Sequence, residues 1–166
     1  MLEVSSRSSE TTADAKRRYL AALERKVLWL ACWMIHNANH NRPSRDGVKV
    51  GGHQASCASV ATLITTLYLD VLRPGDRVAV KPHASPMFHA IQYLLGRQTQ
   101  DKLDRFRAFG GAQAYPSRTK DTDGVDFSTG SVGLGAAMTL FASLTQDWLH
   151  EHNLLEDDQP KGRMVA

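Results

Sequence analysis

The sequence predicts an α/β fold, a parallel sheet flanked by helices. Three observations carry the prediction: several segments whose apolar residues recur at helical spacing, a short Val/Ala run ("RVAV", 77–80) between two of them, and an incipient strand at 163–165 after the last helix. Helices alternating with strands of little polar character are the pattern of a parallel sheet covered on both faces.

Each element follows from local chemistry. Residues 1–12 are rich in Ser, Thr and Glu and read as a disordered or loosely attached tail, leaving 13–166 as one domain. From Asp14 to about Asn39 the residues Leu20, Leu23, Val27, Leu30 and Met34 repeat at the spacing of a long amphipathic helix. "HNRPSRDGVKVGG" is a loop, because Pro, Gly and short polar residues dominate it. A helix from about Ser56 to Leu69, a turn at "RPGD" and the strand at 77–80 come next, and a helix from Ser85 to Leu95 follows the strand. Thr99 is placed to cap a further helix in "TQDKLDRFR". Residues 108–132 are punctuated by glycine and lack periodicity; a loop of that length in a compact domain is usually functional or disordered. The last helix runs from Leu134 to His150.

Composition excludes several classes of function. The 166 residues are 42% hydrophobic with a net charge of +3, enough for one core. Lys and Arg are scattered among Asp and Glu without a basic stripe, which argues against nucleic-acid binding. Cys32 and Cys57 lie in apolar helical contexts without a CxxC partner, as buried thiols of a reducing compartment. The apolar run "VLWLACWMI" is too short to cross a bilayer, and the N-terminus lacks the apolar core of a secretory signal. A cytoplasmic protein without membrane contact is expected.

In parallel sheets ligands meet the carboxyl ends of the strands. His83 stands just beyond the strand ending at Val80. His53, after Gly-Gly, and the loop ending in "STGSVGLG" both precede helices, whose free N–H groups favour anions. The three turns can converge on one sheet edge, with both imidazoles directed to a cleft bordered by Val132 and Gly133. The residues alone leave a second reading open: a histidine after Gly-Gly is more often a helix-start residue than a ligand, and glycine turns before helices usually serve close packing. His36, His40, His89, His150 and His152 are assigned to surface or core. No metal-ligating set is read. HExxH, GxSxG and GxxxxGK[ST] are absent, which removes the zinc peptidase, serine hydrolase and P-loop readings. Cys57 sits four residues from His53, in apolar surroundings that favour an inert thiol.

The segments "GGHQASCAS", "VKPHASPMFHAIQYLLGR", "LDRFR", "AYPS" and "DFSTGSVGLGAAM" occur in an informative order. Over about Trp29 to Trp148 the sequence resembles the thiamine-diphosphate enzymes of the transketolase superfamily, and most nearly the N-terminal part of the homodimeric, decarboxylating first component of pyruvate dehydrogenase. The resemblance implies an incomplete thiamine-diphosphate-binding domain of the diphosphate type. It also implies thiamine diphosphate and Mg2+ as cofactors of the complete enzyme, and a 2-oxo acid or ketose phosphate as substrate. Carried over residue by residue, His53 and His83 are the active-site histidines. Ser56 is a pocket serine, Tyr115 lies near the cofactor, and Ser131, Val132, Gly133 and Leu134 form the turn that abuts the aminopyrimidine. Lys81-Pro82 replaces the family's Gln-Gly, Val132 stands where Met is common, and the chain reaches "KGRMVA", where the strand leading to a Gly-Asp-Gly motif should start, without that motif. The expectation is a fragment of a thiamine-diphosphate enzyme, inactive alone and binding the cofactor weakly or not at all, that self-associates or is completed by a downstream polypeptide. The alternative is a non-catalytic relic or interaction module that keeps the fold.

Overall fold

The structure, a computed structural model, describes residues 11–44, 46–121, 123–155 and 161–166. Helix α1 (Thr12–His36) starts where the Thr11 side chain accepts the Asp14 N–H at 3.2 Å, with the Asp14 carboxylate in the positive first turn. Most of the expected tail lies outside the described residues; Thr11 and Thr12 already belong to the helix start. The helix widens into a π-helical turn, Asn37–Asn41. There Asn39 donates to the Gly51 carbonyl at 3.0 Å and accepts from its N–H at 2.9 Å, stitching the turn to the Gly-Gly loop. Gly52 must be glycine: a β-carbon at its φ of +148° would lie 2.6 Å from the Ile35 side chain, so only a bare backbone can pass over α1 and deliver His53 to the next helix.

One helix is predicted over 56–69, and the structure divides it. Helices α2 (Gln54–Ser59) and α3 (Ala61–Thr66) are separated by Val60 at φ −110°, ψ 5°, and α3 runs into a second π-helical turn, Leu67–Val71. At the break Ser59 Oγ bonds back to the Ser56 carbonyl at 2.9 Å, the local alternative to a continuing helix that serine offers.

Strand β1 (Arg77–Val78) pairs in parallel with β2 (Met164–Val165), Arg77 opposite Met164 and Val78 opposite Val165. The predicted strand to Val80 is shorter as a paired element, although the Ala79 N–H still reaches the Val165 carbonyl at 2.8 Å. Asp76 anchors the pair by accepting the Arg163 N–H at 2.7 Å and its guanidinium Nε at 3.1 Å. These bonds to Arg163 hold the Asp76 carboxyl well below the usual carboxylate range.

Helix α4 (Ser85–Leu94) is the centre of the molecule: every residue from Ser85 to Gln92 is buried, and it packs along α1 and α3. Val27, Met34, Phe88, Ile91, Leu103 and Phe106 form the heart of the core. The short α5 (Gln100–Asp104) is capped by Thr99, as predicted. The described residues between 105 and 133 form no helix or strand. Helix α6 (Leu134–Glu151) packs against β2, and hydrogen bonds of 2.9 and 3.2 Å tie Gln146 to Gly162, two residues before that strand. The architecture is an incomplete α/β unit, mostly helical, around a two-stranded parallel sheet. No helix among the described residues is long and apolar enough to cross a membrane.

Candidate functional site

After β1 the backbone stays extended to Lys81, then turns through a 3-10 helix at Pro82–Ala84, with proline at a helix-starting position where its missing N–H costs nothing. This turn holds His83 half-buried. His53 begins α2 from the other side, and the two rings meet edge to face, with centroids 4.4 Å apart and planes at 80°. Burial, then the His83 charge, then Arg107, move the His53 pKa below its ordinary value. His53 is therefore neutral at pH 7, with one nitrogen to donate and one to accept. The buried Cys57 thiol lies 3.7 Å from the His83 carbonyl, and burial, reinforced by Cys32, pushes its pKa up to about 11. It is protonated at neutral pH, in keeping with an inert thiol.

Sequence reasoning missed Arg107. Its backbone is left-handed, with φ of 61°, and its guanidinium donates to the Val50 carbonyl, three residues before His53. Arg107, Val50, Gln113 and the exposed Tyr115 line an open cleft of about 560 Å3. Nothing local marked the residue, because an arginine in "DRFRAF" reads as a solvated charge. Ser56 is half-buried on α2.

A second cavity, of about 250 Å3, lies at the carboxyl ends of the two strands and is lined by Lys81, Thr129, Gly130, Gly133, Ala136 and Ala166, among others. Thr129 pins the turn to the strand end by donating to the Val80 carbonyl at 2.6 Å. Gly133, at φ +80°, is the left-handed residue from which α6 starts. Ser131, Val132 and Leu134 are exposed. The structure thus brings His53 to His83, Tyr115 to Arg107, and Gly133 to Lys81. Gly133 belongs to the Lys81 cavity, in which neither His53 nor His83 is a lining residue. That cavity offers anionic oxygens a lysine and the N–H groups at the start of α6, but no Asp or Glu side chain lines it. These residues suit anionic oxygens and do not by themselves fit a magnesium ion.

The unit is an incomplete parallel α/β one, with a lysine and a glycine turn at the strand ends and a histidine pair beside them, and in parallel α/β sheets the strand ends are where ligands are met. The chain is 35% identical over 152 residues to the pyruvate dehydrogenase E1 component of Mycolicibacterium smegmatis, a match covering 85% of this chain and 15% of that protein. It is 34% identical over 152 residues to that of Mycobacterium tuberculosis, with 85% and 15% covered. With that of Escherichia coli K12 it shares 33% over 125 residues, covering 70% and 14%. No protein-family model matches. The chain is related to the pyruvate dehydrogenase E1 components, and it spans about 15% of the length of the mycobacterial ones.

Proposed function

We propose that this chain is a fragment of a thiamine-diphosphate-dependent 2-oxo acid dehydrogenase, pyruvate being the first substrate to test, and that it contributes His53 and His83 to an active site completed by further polypeptide. The observation that carries the reading is the contact of the two imidazoles, 4.4 Å apart, just past the end of β1. The neutral His53 ring can donate a hydrogen bond to an anionic oxygen or accept a proton, and His83 beside it can do the same in relay. Thiamine diphosphate, when bound to the complete enzyme, supplies the carbanion-stabilising chemistry. Lys81 and the start of α6 would face anionic oxygens, with Ser131 to Leu134 forming the adjoining turn and Ser56 and Tyr115 bordering the site.

The absence of Asp and Glu side chains from the lining of the Lys81 cavity supports a further part of the reading: the 166 residues alone bind magnesium thiamine diphosphate weakly and release no carbon dioxide from pyruvate. Leu140, Phe141, Leu144 and Trp148, all exposed on α6, support self-association or pairing with a complementing polypeptide. The same face favours the second reading, an interaction module without catalysis.

Calorimetry with magnesium thiamine diphosphate and a decarboxylation assay, each with and without the polypeptide that completes the E1 sequence, test the proposal. Activity appearing only in the mixture, and falling about 100-fold in His83→Gln as for loss of a general acid or base, is the expected result. Turnover by the chain alone overturns the fragment reading, and a mixture that stays inactive leaves the interaction module.

A further inference from the structure

The segment after α5 is fastened to α4 by a buried polar cluster that the candidate site does not use. The His89 side chain, on α4, is completely buried, as is that of Asp123. His89 Nδ1 lies 2.8 Å from Asp123 Oδ2, and its Nε2 lies 2.8 Å from the Gln113 carbonyl. A carbonyl only accepts, so Nε2 carries a proton, and Nδ1, which faces Asp123 Oδ2, is the nitrogen left to bind a cation in place of a proton. Gln98 donates to Asp123 Oδ2 at 2.9 Å. Asp121, also buried, accepts the N–H groups of Gln113 at 3.2 Å and Ser117 at 2.8 Å. One ligand atom from each of His89, Asp121 and Asp123 falls within 4.8 Å of the others.

Two further facts point to an occupant. Among the described residues no lysine or arginine pairs with either carboxylate, and one imidazole can offset at most one of the two negative charges. Uncompensated buried charge is costly. Secondly, the buried oxygens Asp123 Oδ1 and Gln92 Oε1 have no hydrogen-bond partner. Gln92 follows His89 by one helical turn, and its Oε1 lies 3.8 Å from where a β-carbon on Gly124 would sit, beside Asp123. Lone acceptors without donors are what a cation satisfies.

We propose that His89 Nδ1 and the carboxylates of Asp121 and Asp123 bind a divalent first-row transition ion, with zinc the best match, which clamps the 111–123 segment onto α4. Mixed nitrogen and oxygen donors favour such an ion over magnesium or calcium, which take oxygen. The Nε2–H to the Gln113 carbonyl is the outer bond that fixes a metal-binding imidazole in its tautomer. The ion would thereby hold Tyr115, which lies within the clamped segment, against the Arg107 cleft.

The test uses the full chain, stripped with a chelator and titrated with Zn2+ or Co2+ as probes. One equivalent of ion should survive gel filtration. Cobalt should give the intense visible absorption of a site of low coordination number, and ion at about a hundredfold excess over its Kd should raise Tm by about 5 to 10 °C. Asp123→Asn should weaken binding at least ~100-fold, the upper end for loss of even an outer-shell partner. The exposed His36 and His40, whose stacked rings lie 4.7 Å apart one helical turn from each other, could chelate an ion on their own. The double variant H36A/H40A should therefore keep its equivalent of ion. A wild-type chain that retains neither ion, or binding that disappears in H36A/H40A, overturns the proposal and leaves a metal-free hydrogen-bonded clasp. If Asp123→Asn does not fold, the cobalt spectrum and the H36A/H40A comparison still decide.

Discussion

Helices α4 and α6 are similarly apolar in sequence and meet opposite fates. In α4 eight consecutive residues, Ser85 to Gln92, are buried, whereas in α6 Thr139 alone is buried over 18 residues. The difference lies in their neighbours. Helix α4 is packed by α1 and α3 and bounded by the long segment tied down through His89, while α6 rests on the short β2 strand. An apolar residue contributes stability only when another surface removes it from water, so the helical pattern in a sequence reports an element and not its burial.

The largest expected effect separates the two helices directly. Phe88 is 1% exposed and meets Tyr68 edge to face at 5.9 Å. Phe88→Ala should cost about 3 to 5 kcal/mol in urea denaturation. Phe141, 64% exposed, should lose less than about 0.5 kcal/mol on the same truncation. An equal loss at both positions would mean that α6 is covered in solution.

Next in size is association. Leu144→Lys places a charge in the middle of the exposed α6 ridge, and it should shift sedimentation at micromolar concentration from dimers or larger species to monomer. A wild-type chain that is already monomeric removes the reason to regard α6 as a docking face.

A smaller effect concerns the support beneath α6. The Asp76 carboxyl is held below its usual range by Arg163, so its pairing contributes stability that is present above the unfolded value and lost as pH falls through the folded one. Stability of the wild type should decline below about pH 4, the ordinary aspartate value. Asp76→Asn should be less stable at neutral pH and flatter on the acid side, as read from urea midpoints across that range.

The smallest effect lies at the imidazole pair. His53 should titrate below the ordinary histidine value in a proton NMR pH series. His83→Gln should return it only part of the way, because burial is the first cause of the shift and the neighbouring charge the second. A full return would make His83 the dominant cause.

Much of the element order was legible because it is local. Thr99 as a cap, the helix from Ser85 after the strand and the glycine turn before α6 each follow from a few adjacent residues. The split at Val60 was not legible, since the competing Ser59 bond has the same composition as a continuing helix. The His53 and His83 pair was accessible through motif order. Arg107 and Asp123 were not, because their partners, Val50 and His89, lie 57 and 34 residues away.

By itself the sequence determined most of the element order, the α/β class and the relation to the E1 components, since periodicity, capping and motif order all act along the chain. Only the tertiary structure decided that α4 is enclosed and α6 is not, that an arginine in a left-handed turn reaches the histidine loop, and that a histidine assigned to surface or core meets one buried aspartate and lies near a second. Burial, charge compensation and ligand distance are properties of surfaces brought together from distant parts of the chain, and no local pattern encodes them.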